Sequence, residues 1–257
     1  MQHTRLPSAS SLLTDISACV GFYTRLPVKG VVLSDFAAAQ WAAPVAGAVI
    51  GLLVGIALWL ITSLGVPPGV SAALALATGI ALTGGLHEDG LADVADGFGG
   101  GRTQDDKLAI MTDSRIGTYG TLALVLSLLT RWAALSTLAV VSPAVAIPAL
   151  IAAHTASRAL MPGFMVKVAS ARPYGLSADI GAVEGRTALI ALGIGALALL
   201  LNGLGFAIVT IALLALLFFA LRRLALAQIG GQTGDVLGSL QQGGEILILC
   251  VCATLLA

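Results

Sequence analysis

Charge is scarce in this chain. Of its 257 residues, 10% are Asp, Glu, Lys or Arg and 58% are hydrophobic, whereas a water-facing domain carries about 25% charged residues. A soluble globular fold is excluded, because too few charges remain to clothe a wetted surface. Cysteine is nearly absent too. Cys19, Cys250 and Cys252 form no Cys-x-x-Cys pair, which suggests neither zinc nor a disulfide framework. The formal net charge is zero, and no nucleic-acid partner is expected. No apolar leader core precedes Leu12, and no internal repeat or low-complexity linker interrupts the sequence. No removable signal peptide is expected, and 1–257 reads as one domain that begins in the cytoplasm.

What fills the chain is apolar runs: Trp41–Leu64, Val70–Leu86, Tyr119–Val141, Pro143–Leu160, Thr187–Leu201 and Gly205–Leu221, with a short one, Ile246–Ala257, at the end. A span needs about 20 residues, with about 17 as the lower limit. Thr187–Leu201 is short, although Asn202-Gly203 forms a tight hairpin that can sit in the interface, and the last run is expected to span poorly. Leu12, Leu13, Ile16, Val20 and Tyr23 recur at helical spacing, as in an amphipathic surface helix. The fold class is therefore all-α: a polytopic membrane helix bundle of about six to seven transmembrane helices with an N-terminal amphipathic helix.

Orientation follows from the connections. Arg5, Arg25, Lys29, Arg102, Lys107, Arg115, Lys167, Arg172, Arg186, Arg222 and Arg223 fall in alternate segments, and the intervening turns carry no basic residue. The positive-inside rule makes the loaded side cytoplasmic, in the inner membrane.

Against this poverty of charge, seven of the thirteen acidic residues lie between Gly85 and Asp113. Asp89, Asp93 and Asp96 are spaced i, i+4, i+7, which places them on one face of a helix. Like charges at that spacing destabilise a helix unless something pairs them, and hard oxygen ligands suit Mg²⁺ or Mn²⁺. A solvated acidic face is the alternative, but the intervening residues are small or apolar. His87 beside them is a ligand, a proton carrier or a hydrogen-bonding support for a ligand. Downstream, Asp113 offers a further ligand or a general base, and Arg115 a bidentate phosphate contact; a helix cap and a headgroup anchor are the plain alternatives. The Gly99-Gly-Gly-Arg102 stretch is read as a hairpin-like link between the two segments.

The 222–244 connection holds Gly230-Gly-Gln-Thr-Gly-Asp235, without the Gly-Lys-Ser/Thr of a P-loop. It reads as a second ligand-contacting loop around Asp235 or as a flexible re-entrant turn. His154 and Arg158 lie one turn apart inside an apolar run. An arginine there costs about 2.5–3.5 kcal/mol on insertion scales, so Arg158 needs a partner: substrate phosphate, the acidic cluster or a structural ion pair. Arg131 divides evenly between packing and function. Arg25 and Arg172 either line the same mouth or anchor at headgroups.

Together, Gly84–Gly97 (Gly-Gly-Leu-His-x-Asp-Gly-Leu-Ala-Asp-x-x-Asp-Gly), Met111–Gly120 (Met-x-Asp-Ser-Arg-Ile-Gly-Thr-x-Gly), Gly230–Gly238 (Gly-Gly-x-Thr-Gly-Asp-Val-Leu-Gly) and Phe22-x-Thr-Arg-Leu-Pro27 resemble the cobalamin synthase family, the adenosylcobinamide-GDP ribazoletransferases. Glu88 departs from the apolar residue expected there. The resemblance implies an enzyme that joins adenosylcobinamide-GDP to alpha-ribazole or its 5′-phosphate and releases GMP, with Mg²⁺ as cofactor, membrane lipid around it and oligomerisation open. It implies Asp89, Asp93 and Asp96 as metal ligands, and Asp113, with Asp235 as alternative, as the base. It makes Arg115 the phosphate contact, and His87, Ser114, Arg158, Thr233, Arg25 and Arg172 substrate-binding. A cation-coupled transporter is the competing class, on account of the intramembrane Arg and His. A non-catalytic scaffold would not need this carboxylate pattern.

Overall fold

Two consecutive glycines decide where the acidic segment goes. In the computed structural model, which describes residues 9–28 and 35–256, Gly84 and Gly85 both adopt left-handed backbone, φ 69° and 72°. Side-chain-bearing residues rarely tolerate that region. The pair ends one helix and starts the next at an angle of 91°. The acidic helix therefore turns across the end of the bundle instead of continuing through it.

The helices run in chain order as α1 (Ala9–Tyr23), α2 (Phe36–Ala39), α3 (Ala43–Ser63), α4 (Pro68–Thr83), α5 (Leu86–Gly100), α6 (Gln104–Ile110), α7 (Thr118–Val141), α8 (Pro143–Lys167), α9 (Leu176–Ile180), α10 (Gly185–Leu199), α11 (Leu204–Ile229) and α12 (Gly234–Leu255). Among the described residues, six helical segments are long and apolar enough to cross a membrane, and the bent α4–α5 pair makes a seventh if counted as one broken span. Among the described residues there is no strand, only an isolated bridge between Ser170 and Gln232. This is the expected all-α polytopic bundle. The basic residues Arg5 and Lys29, used in reading the orientation, lie outside the described residues.

α8 is the axis of the bundle, and its interior face is small: Ala149, Ala152, Ala153, Ala156 and Ala159 are buried. It meets Gly47, Gly51 and Gly55 of α3, four residues apart on one face. A Cβ on Gly47 would collide with the His154 carbonyl oxygen, and one on Gly51 with that of Leu150. Lipid tails are as apolar as leucine, so close backbone approach rather than hydrophobic burial holds such pairs together. α1 is amphipathic as expected. Leu13 is exposed, while Cys19, Val20 and Tyr23 are buried against the bundle, and Asp15 accepts a 2.8 Å hydrogen bond from the Trp41 indole.

Three expectations are corrected. Gly99 and Gly100 are helical, the last turn of α5, and the link to α6 is the shorter turn 101–103, closed by a capping box between Thr103 and Asp106. The C-terminal apolar run is the second half of a full 22-residue helix that begins at Gly234, because Gln241, Gln242 and Glu245 face the protein interior and do not end the span. For the same reason the 222–244 connection shrinks to residues 230–233. It is no flexible loop: Gln232 N–H donates to the Ala169 carbonyl (2.9 Å) and Ala171 N–H to the Gln232 carbonyl (2.8 Å). A Cβ on Gly231 would stand 2.6 Å from the Ala169 oxygen. The Asn202-Gly203 hairpin is present, with Gly203 at φ 102°.

Candidate functional site

α5 lies against α12 without side chains between them. A Cβ on Gly90 would be 2.9 Å from Asp235 Cα, and one on Gly238 would be 3.3 Å from His87 Cα. Ser239 Oγ donates to the Gly90 carbonyl at 3.1 Å. The glycines of the first and third motifs are thus two halves of one crossing. Its effect is to bring Asp235, at the start of α12, beside Asp89 and Asp93. Asp93 is half-buried and feels the charges of Asp89, Asp235 and Asp96, with Arg172 opposing them.

A cavity of about 830 Å³ opens over this cluster, and its lining includes Arg25, Asp89, Asp93, Asp113, Ser114 and Arg115. Six of the twelve candidate residues therefore share one mouth. Arg25 crosses above Gly84, where a Cβ would stand 2.5 Å from its Nε, so that glycine provides clearance as well as the bend. At the rim Arg115 donates to Asp113 through Nε (3.1 Å) and Nη2 (2.8 Å). These bonds hold the Asp113 carboxyl down at about 2 and raise the Arg115 guanidinium above its ordinary range.

Asp235 is held from two sides. Thr233 Oγ1 donates to its Oδ2 at 3.0 Å, and Arg172 Nη2 does so at 3.2 Å. Thr233 and Arg172 thus reach the site through Asp235 and do not line the first cavity.

Asp96 is elsewhere. Its carboxylate accepts the backbone N–H of Gly117 (2.7 Å) and of Gly120 (2.8 Å), the free donors at the start of α7. Gly117 and Gly120 must be glycine because a Cβ on either would strike that carboxylate. This gives the spacing of the second motif a physical reason: it is the receptor for Asp96. Of the remaining acids of the cluster, Asp105 and Asp106 sit in the first turn of α6, where Asp106 takes part in a cap. The crowding of seven acids thus overstates the number free to hold a cation.

His87 and Arg158 are also elsewhere, 3% and 1% exposed. Arg158 Nη1 lies 3.2 Å from His154 Nδ1 and Nη2 lies 3.5 Å from His87 Nδ1, while Tyr23 stacks on the His87 ring. They belong to a polar layer buried inside the bundle. There Arg131 Nη1 lies 3.0 Å from both Glu88 and Glu245, His154 lies 3.2 Å from Glu245, and Gln241 donates to Glu245 at 2.8 Å. Sequence reasoning placed Glu245 and Gln241 in a loop and missed this layer. The signal was available: an intramembrane arginine demands an acid, and Glu88 and Glu245 are unassigned acids that adjoin apolar runs.

Do these residues fit a divalent metal? Among the described residues no three His, Cys, Asp or Glu side chains converge as a complete ligand set. Mg²⁺ does not require one, since it keeps several waters and is usually held by one or two carboxylates plus substrate phosphates. Asp89 and Asp93, one turn apart on the cavity wall, satisfy that requirement, and the space above Gly90, which a Cβ would fill, keeps Asp235 within reach. The donor set fits a hard cation.

An all-α bundle with spanning helices, a polar interior and a mouth of paired carboxylates and arginines is a polytopic membrane enzyme. Comparison with known proteins gives it a family. Residues 15–253 match the family described as Cobalamin-5-phosphate synthase, and the chain belongs to that family. It is 50% identical over 255 residues to a Mesorhizobium japonicum protein, covering 97% of this chain and 96% of the relative. It is 50% identical over 247 residues to one from Bradyrhizobium diazoefficiens (95% and 94%), and 39% identical over 236 residues to one from Ralstonia nicotianae (90% and 92%). All three relatives are named adenosylcobinamide-GDP ribazoletransferase, so this chain is a transferase of cobalamin synthesis. No solved structure is detectably similar.

Proposed function

We propose that this enzyme joins adenosylcobinamide-GDP to alpha-ribazole or its 5′-phosphate and releases GMP, at the cytoplasmic face of the inner membrane. The observation that carries the reading is the single cavity that faces Asp89 and Asp93 with Arg25 and Arg115. A pyrophosphate needs both signs at once: cationic groups for its oxygens and carboxylates for the ion that accompanies it. The alternation of basic and uncharged connections along the sequence supports that orientation.

In this reading Asp89 and Asp93 would hold Mg²⁺, which would supply neutralisation of the pyrophosphate charge. Arg25 and Arg115 bind phosphate oxygens, and Ser114 lies beside them on the wall. The hydroxyl oxygen of the acceptor ribose forms the new bond to the phosphorus next to the cobinamide side. The bond from that phosphorus to the bridging oxygen breaks, and GMP leaves with that oxygen. The hydroxyl proton passes to a carboxylate. Asp113 is poorly suited, because a group held at about 2 by Arg115 is a weak base, and efficient bases lie near the working pH. Asp235, facing Asp89 and Asp93 across the Gly90 crossing, is the better-placed acceptor. His87 and Arg158 act indirectly, by fixing α5 from behind.

The test is turnover by purified protein in liposomes, with GMP and corrinoid product followed by chromatography, with and without chelator. Asp89→Ala and Asp93→Ala should each lower GMP release by at least about a hundredfold while the protein still inserts. Near-normal turnover in both variants would sink the metal assignment. Solute uptake without GMP release would restore the transporter.

A further inference from the structure

α10 and α11 are joined by the Asn202-Gly203 hairpin and separate from it toward the end of the bundle that carries Asp235. Between them lies a groove of about 600 Å³ floored by α8. The floor is made of small residues. Ala156 and Gly163 of α8 line it, and a Cβ on Gly195 of α10 would stand 2.6 Å from Ala159 Cβ. α11 meets α8 where Phe218 packs edge to face on Phe164, ring centres 5.2 Å apart. The described lining is apolar or glycine throughout except for Lys167, the last residue of α8.

The groove is about one leaflet deep. From Ala156 to Lys167, α8 rises roughly 16 Å at about 1.5 Å per residue, and half of a hydrocarbon core of about 30 Å is about 15 Å. On α11 the lining starts at Ile211, about two turns inside the helix start at Leu204. The groove therefore stops short of the second leaflet. A spanning helix of another chain needs about 20 residues and both leaflets, whereas an acyl chain needs one leaflet only.

Two cations stand at the open end. Lys167 is one. Arg222 follows Phe218 and Phe219 of the lining by four and three residues, which puts it on the same face of α11, one turn beyond them. Lys167 is exposed and Arg222 half-buried, and among the described residues neither is in an ion pair, whereas Arg131 and Arg172 each have a carboxylate. Glu184, which precedes Gly185 at this end of the groove, is exposed and pairs with neither cation. Unpaired basic groups at the membrane surface beside a cleft between spanning helices suit an anionic headgroup.

We propose that this groove binds one anionic phospholipid from the leaflet on the active-site side, with an acyl chain against α8 and the headgroup phosphate at Lys167 and Arg222. The lipid joins α11 to α8 along the groove. Its headgroup lies where α8 gives way to the segment that hydrogen-bonds to the 230–233 turn through Ala169 and Ala171. The site is separate from the cavity over Asp89 and Asp93, and it stands whatever reaction occurs there.

Native mass spectrometry and thermal unfolding of the detergent-purified protein test this, with phosphatidylglycerol or phosphatidylcholine of the same acyl chains added. The wild type is expected to retain one phosphatidylglycerol with at least about tenfold preference over phosphatidylcholine, and to unfold at a higher temperature with it. The combined Lys167→Gln, Arg222→Gln variant should lose the preference and keep weak binding of both lipids. Ala215→Phe places a ring in the groove at an exposed position. It should displace both lipids, and it carries the test if the charge variant does not fold. Equal retention of the two lipids by the wild type, or unchanged retention in the folded variants, overturns the site. A dimer that Ala215→Phe dissociates also overturns it, and assigns the groove to a second copy of the chain.

Discussion

Arg131 Nη1 stands 3.0 Å from Glu88 Oε1, and this contact ties the helix that carries Asp89 to the interior of α7. The same nitrogen is 3.0 Å from Glu245 of α12. The two helices that meet at Gly90 and Asp235 are therefore also joined from beneath, through one guanidinium. Glu88, whose role its sequence neighbours left open, is the partner that a mid-span arginine requires.

Removing one member of this layer should cost far more than removing a matched pair. Glu245→Leu leaves Arg131 and His154 without their shared carboxylate, and breaking a buried pair costs about 3–5 kcal/mol. The combined Glu245→Leu, Arg131→Leu, Glu88→Leu variant should recover a large part of that loss. Thermal unfolding in detergent, compared across the single and combined variants, checks this; equal losses would show the ions to be independent.

Asp96→Ala should act as the loss of a helix cap. Two backbone donors of α7 lose their acceptor, each costing about 1–3 kcal/mol if left unsatisfied. A lower melting temperature with an unchanged Mg²⁺ concentration for half-maximal activity in the surviving fraction is the expected pair of readings. A large rise in that Mg²⁺ concentration would instead return Asp96 to the metal.

Gly90→Val tests the crossing. Its Cβ would meet Asp235 backbone at 2.9 Å, so α12 must move and carry Asp235 away from Asp89 and Asp93. Activity should fall by about a hundredfold, since misplacement of about 1 Å costs that much, while the helical content by circular dichroism is kept. Retained turnover would mean that Asp235 plays no part.

The pH dependence is set by which carboxylate takes the proton. Asp113 is depressed from 3.8 to about 2 by Arg115. Any stability it contributes is present above about 4 and lost only as pH falls toward 2, outside the working range. Asp113→Asn should therefore lower activity modestly and leave the midpoint of the acid limb of the pH–rate profile where it is. A displaced midpoint would make Asp113 the base.

The number of carboxylates at the site shows how far sequence could go. The spacing of Asp89, Asp93 and Asp96 gave one helical face correctly, yet a face on a helix spans two environments when the helix lies across the end of a bundle. Asp89 and Asp93 meet the cavity, and Asp96, one further turn along, meets the start of α7. The span count was legible for the same reason that the loop around 230 was not. Hydropathy marks where a helix is greasy, but a helix lined with Gln and Glu toward its own protein reads as a connection.

By itself the sequence determined that this chain lives in a membrane, because so little charge leaves no other solvent, and that more than half of its acids crowd into one segment. It permitted the bend before α5, since Gly84 and Gly85 accept two left-handed residues in succession, but did not dictate it, because Gly99-Gly100 stays helical. Only the tertiary structure decided which motif residues meet. The approach of Gly90 to Asp235 joins segments far apart in the chain. The withdrawal of Arg158 and His87 into the interior follows from acids on other helices. The pairing of Arg172 with Asp235 depends on where the segment after α8 comes to rest. Packing brings distant residues together only when several helices agree on their positions at once, and no local spacing carries that information.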